Sequence, residues 1–185
     1  RPVFIVRIIS RVAVGVALWG AAPAPAVTFL TQAEALAQAF PDAQVERQGH
    51  VLTDDQLAAA AKLAGAKLPS ALVAAYVATR DGAVAGTAYF DAHRVHSLPQ
   101  TLMIVVNPDG TVADVVVLAF SEPPKYRAPE PWMKQFPGRK LDDRLSLKQD
   151  IQGISGATLT ARATTKAVRR ALALHADLYP PPADL

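Results

Sequence analysis

Residues 71–95 read ALVAAYVATR-DG-AVAGTAYFDAHRV, two runs rich in β-branched and aromatic residues joined by Asp81-Gly82. An Asp-Gly pair between such runs is a hairpin signal, because a tight two-residue turn needs positive φ at its centre. A second pair follows, TLMIVVN at 101–107 and TVADVVVLAF at 111–120, separated by Pro108-Asp109-Gly110. Strands that follow one another without intervening helices form antiparallel sheets. The expected class is therefore α+β: an antiparallel sheet of two hairpins, flanked by N-terminal helices and a C-terminal helix.

Toward the N-terminus, Thr31-Gln32-Ala33-Glu34 and Thr53-Asp54-Asp55-Gln56 are both capping boxes, each opening a helix. The first runs to Phe40, where Pro41 closes it, and the second is Ala-rich and runs to about Lys67. Leu36, Phe40, Leu57 and Leu63 are their expected core residues. Toward the C-terminus, residues 121–150 (SEPPKYRAPEPWMKQFPGRKLDDRLSLKQD) form a Pro-rich, charged connector, longer than a plain loop requires. Beyond it, GISGATLT at 153–160 runs into a helix. There Ala163, Ala167, Val168, Ala171 and Leu172 recur at helical spacing, and Arg162, Lys166, Arg169 and Arg170 take other faces.

The chain has 185 residues with 19 Lys+Arg and 16 Asp+Glu, and three of the arginines (Arg1, Arg7, Arg11) fall in residues 1–26. The remaining 16 basic and 16 acidic residues balance, so no net basic character points to nucleic acid. Those arginines precede the apolar run Val12–Ala22 and the small-residue site Ala24-Pro25-Ala26. Residues 1–26 thus read as a secretory signal peptide, or alternatively as an uncleaved N-terminal membrane anchor. Either places the rest of the chain in the periplasm or on the extracytoplasmic face of a membrane. Residues 27–70 form a helical N-terminal part, and 71–185 the main domain. With no cysteine, the chain cannot attach a c-type haem, ligate an iron–sulfur cluster or use a thiol nucleophile.

The stretch Ser155–Thr160 lies where a helix starts, and there free N–H groups and the helix dipole favour an anion. Gly156 and Ala157 permit close approach, and Ser155, Thr158 and Thr160 supply hydroxyls. Two readings stand side by side: Thr158 or Thr160 as a plain N-cap, or the turn as an anion site. His93 and His96 are three apart near a strand end, which puts them on opposite faces, so a metal pair there needs a turn. No phosphate-loop, dinucleotide, nucleophile-elbow or zinc motif is present.

Ser155-Gly156-Ala157-Thr158-Leu159-Thr160 resembles the S/T-G-A-T-x-T flavinylation motif of the FMN-binding domain family. That family includes the covalent-flavin subunits of the Rnf and Na⁺-translocating NADH:quinone oxidoreductase complexes and the NosR-type proteins. The likeness is tight over about eight residues and looser over roughly 72–175. It implies that 71–185 is an FMN-binding domain carrying FMN in a phosphoester on Thr158, with the other motif residues around it. It further implies maturation by a flavin transferase that uses FAD and Mg²⁺. Electron exchange with a membrane or periplasmic redox partner follows, which makes the chain an electron-transfer component rather than a stand-alone enzyme. The family usually has Asp three residues before the motif; here Gln152 stands there, and the nearest acid is Asp150. A flavin ring also needs aromatic surface, for which Trp132 is the first candidate, ahead of Tyr126, Phe136, Tyr89 and Phe90. A non-redox binding or accessory module on the same fold, without covalent flavin, is the alternative.

Overall fold

The computed structural model describes residues 27–180, so the expected leader or anchor segment lies outside the described residues. In chain order the elements are strand β1 (Val27–Thr28), helix α1 (Gln32–Ala39), strand β2 (Gln44–Val51) and helix α2 (Asp54–Ala64). Strands β3 (Leu72–Arg80), β4 (Ala83–Arg94), β5 (Pro99–Val106) and β6 (Val112–Phe120) follow. A 3₁₀ turn at Pro124–Tyr126, a short helix α3 (Glu130–Met133) and the long helix α4 (Thr158–Leu178) complete the described elements.

The six strands form one antiparallel sheet in the order β1-β6-β5-β4-β3-β2. The class is α+β, and both expected hairpins are present. Asp81 and Gly82 carry φ of 52° and 78°, as a two-residue turn demands, and Arg80 pairs directly with Ala83. The sheet is wider than the sequence suggested. Strand β2, QVERQGHV, pairs along its whole length with β3 at the sheet edge. Its residues are mostly polar and mostly exposed, so no apolar alternation marked it.

Both faces of the sheet are covered, and alternation along β5 sorts its residues between them. Leu102, Ile104 and Val106 enter the larger core under α2, α4 and the connector, which also holds Trp132, Phe136, Leu145 and Leu172. Met103 and Val105 enter the smaller core with Ala35 and Phe40 of the α1 segment. Both capping boxes form as expected. Phe40 is buried and Leu36 and Leu57 are partly buried, but Leu63 is 53% exposed, against expectation. In α2 it is the small residues Ala60 and Ala64, one turn apart, that are buried, and Leu63 falls outside that stripe.

Arg169 ties α4 to its surroundings. Its guanidinium donates to the carbonyls of Leu63 and Ala64, at the end of α2, and to those of Asp142 and Leu145 in the connector. Helix ends leave such carbonyls without partners, and here a cation satisfies them. Replacing Arg169→Met should therefore cost about 2–3 kcal/mol, since the part-buried carbonyls of Ala64 and Leu145 lose a charged donor. Leu63→Ala should cost about 1 kcal/mol or less. Urea unfolding of the two variants would check this ordering.

Candidate functional site

Helix α4 begins at Thr158, and its N-cap is Ala157, a residue with no side-chain acceptor. Gly156 precedes it with φ 76°, a left-handed conformation that suits glycine and turns the chain into the helix. Neither threonine caps the helix, which corrects the plain N-cap reading. Thr158 is already the first helical residue, and Thr160 is turned inward, 1% exposed, donating its hydroxyl to the Tyr126 carbonyl at 2.6 Å. Among the described residues, the N–H groups of Thr158, Leu159 and Thr160 have no hydrogen-bond acceptor. The Thr158 hydroxyl is exposed and likewise makes no hydrogen bond there.

A cavity of about 420 Å³ opens at this turn. Its walls are Gly156–Thr160, Tyr126 from the connector, Val95 and His96 from the β4–β5 turn, and Glu122. A volume of this size lies within the ~300–1,000 Å³ typical of small-molecule sites. A Cβ built on Gly156 would meet nothing within 4 Å, so the space in front of the turn is open. Tyr126 is 37% exposed, with Lys125 Nζ 4.9 Å from its ring centre. Thr158 also borders a second cavity of about 640 Å³, whose walls include Leu145, Lys148, Gly153, Arg162, Lys166 and Arg169.

Glu122 sets the far wall. One carboxylate oxygen accepts the N–H groups of Leu98 at 2.7 Å, Ser97 at 2.8 Å and His96 at 3.2 Å. The Leu98 bond is the largest cause holding this carboxyl below its ordinary value, and the Ser97 and His96 bonds add to it. The β4–β5 turn is thereby fixed to Glu122 beside the cavity. Nothing in residue spacing flagged Glu122, because its partners lie about 25 residues away.

The other singled-out residues fall into place by their contacts. Trp132 is 8% exposed, stands edge-to-face against Phe136 and donates its indole N–H to the Gln152 carbonyl at 2.7 Å. It anchors the approach to the motif and does not line the cavity beside Thr158; Tyr126 does. Tyr89 is buried with its hydroxyl against His175, and Phe90 packs edge-to-face on Tyr76. Ser155 is exposed and Ala157 buried. Gln152 uses its backbone, with its N–H on the Gln135 side chain, while its own side chain is exposed. Asp150 is held by Arg139 and Arg144 at 2.7 and 2.8 Å, so this acid is already engaged. His93 is hydrogen-bonded to Asp91, whereas His96 faces the cavity. Among the described residues, no three His, Cys, Asp or Glu side chains are placed to hold a metal.

Beneath α4, Asp91 receives Arg170 in a two-point bond at 2.8 and 2.7 Å and His93 at 2.7 Å. Burial alone would push this carboxyl up, but the hydrogen bonds from His93 and Arg170 outweigh it and leave it at about 2. A lowered carboxylate pKa adds stability that is fully present above the unfolded value and lost as pH falls through the folded one. Wild-type stability should therefore decline as pH drops from about 4 toward 2, and Asp91→Asn should remove part of that decline. At neutral pH the same variant leaves Arg170 buried without its partner and should cost about 3–5 kcal/mol. Urea unfolding as a function of pH reads both effects.

Residues 96–173 match the FMN-binding domain family. The match spans β5, β6, the connector and most of α4, and it includes every residue lining the cavity except Val95. The chain is also similar to one component of the proton-translocating ferredoxin:NAD(+) oxidoreductase complex of Clostridium ljungdahlii, 33% identical over 79 residues. That alignment covers 38% of this chain and 43% of the relative.

Proposed function

We infer, from the match of residues 96–173 to the FMN-binding domain family, that this protein is an electron-transfer flavoprotein with FMN held by a phosphoester on Thr158. The observation that carries the reading is the position of Thr158. It is the first residue of α4, its hydroxyl is exposed, and it stands beside unbonded N–H groups at the mouth of a cavity. The similar clostridial protein is by name part of a proton-translocating ferredoxin:NAD(+) oxidoreductase complex, which supports an electron-transfer setting.

Bound FMN would supply one- and two-electron chemistry, and the protein's part is to hold and orient it. The N–H groups of Thr158, Leu159 and Thr160, with the positive end of the helix dipole, suit the charge on a phosphodiester. Gly156, with no side chain and open space before it, lets that group approach the backbone. Tyr126 and Leu159 offer aromatic and apolar surface on the same cavity, and Ala157 contributes to its wall. Thr160 fixes the connector to the helix, which keeps Tyr126 in place beside Thr158. Thr158 itself is an attachment point and takes no part in turnover.

The reading extends to location and partners. The arginines and apolar run of residues 1–22 support export or anchoring, with the domain on the extracytoplasmic side. There a tether keeps the flavin from diffusing away. Maturation then requires a flavin transferase, and function requires a membrane or periplasmic redox partner.

Peptide mass spectrometry of protein made with a competent flavin transferase tests the tether. The peptide containing Thr158 should gain roughly 438 Da, FMN less water. Thr158→Ala should abolish the gain, and Thr53→Ala, at the cap of α2, should retain it. An unmodified Thr158 under those conditions would sink the reading and favour a binding or accessory module without covalent flavin.

A further inference from the structure

The body of the chain balances its charges, yet the surface around Thr158 does not. Arg94, Lys148, Arg162 and Lys166 are all exposed and line the cavities on either flank of the first turns of α4. None of them forms an ion pair among the described residues. Among the described residues Asp143 is the one acid on these two walls, while Glu122, on the wall of the cavity beside Thr158, is taken up by three backbone N–H groups. Asp91 lies beneath, matched to Arg170 and His93, and Arg94 is steadied by the Ser97 carbonyl, which orients its charge without cancelling it. Thr158, Arg162 and Lys166 are spaced by four, so they rise in one line along the helix. The positive end of the α4 dipole adds to that field. In the middle, Leu159 is 45% exposed.

An apolar centre inside a charged rim is the make-up of a small transient protein interface. We propose that this cationic collar is a docking face for a partner protein whose contact surface is acidic. The proposal rests on the tether reading for its purpose, since it brings the partner against the group on Thr158. A protein fits better than an anionic bilayer because of where the cations sit. They line the walls of two open cavities of about 190 and 640 Å³, which projecting carboxylates can enter. Electrostatic attraction of this kind raises association rates by roughly 10- to 1,000-fold and weakens with salt.

The test uses an acidic flavodoxin as a probe and isothermal titration calorimetry as readout. Both the flavin-loaded protein and its Thr158→Ala variant should bind it, with Kd rising about tenfold or more between ~20 and ~200 mM salt. Charge reversal in the double variant Arg162→Glu, Lys166→Glu should weaken binding at low salt about tenfold and flatten the salt dependence. Arg47→Glu, on the edge strand β2, should leave Kd unchanged, and unfolding midpoints establish that each variant folds. Absence of binding, or binding indifferent to the double reversal, overturns the proposal. So does sedimentation with phosphatidylglycerol vesicles that the double reversal abolishes, because the collar would then be a membrane face. A protein that binds the probe through the collar but never acquires flavin would separate the two ideas, refuting the tether and retaining the docking face.

Discussion

The grip of Arg169 on four backbone carbonyls is the contact on which the rest of the architecture depends. One guanidinium satisfies the end of α2 and two points of the connector, and it does so from the middle of α4. One residue further on, Arg170 clasps Asp91 on the sheet. Toward the C-terminus, Tyr179 bonds Gln48 on β2 and Asp177 accepts from Gln56 of α2. With the later turns secured in this way, the first turn of α4 can stay uncapped. The forgone cap is worth about 1 kcal/mol, small beside the packing that seats the helix. The free amides around Thr158 are therefore stable features of the fold.

The connector carries a similar logic. It is long and has little regular structure, yet its key points are bonded. Trp132 and Gln135 hold the two backbone groups of Gln152, Arg139 and Arg144 hold Asp150, and the Tyr126 carbonyl accepts from Thr160. These bonds bring the start and the end of the segment to the same helix turn. Tyr126 then lines a cavity with residues some thirty positions later. The aromatic residue that faces the site is thus chosen by where the chain is pinned. Trp132 is the larger ring, but its indole N–H is needed inside to bind the turn that leads into the motif.

Charge follows the same division between composition and placement. Sixteen basic residues face sixteen acidic ones outside the first 26 positions, a balance that suggests no patch at all. Folding commits several acids to internal partners: Asp91 to Arg170 and His93, Asp150 to two arginines, Glu122 to three backbone amides. Among the described residues, the cations beside Thr158 form no ion pair.

Local signals determined a large part of this protein. Asp81-Gly82 and Asp109-Gly110 placed the hairpins, two capping boxes placed the first helices, and the small residues before Ala161 marked the turn that a bulky anionic group could approach. Each of these works through neighbours within about four residues, so linear order preserves it. Strand β2 was not legible, because its polar residues gain strand geometry only by pairing with β3. Leu63 was misjudged because helix-to-helix approach through Ala60 and Ala64 set which stripe of α2 is buried. Glu122 and the cationic collar came from the tertiary structure alone, and so did the choice of Tyr126 over Trp132 among the aromatic candidates. Their roles depend on positions 25 or more residues apart, and only the closed sheet and the seated helix bring such positions together.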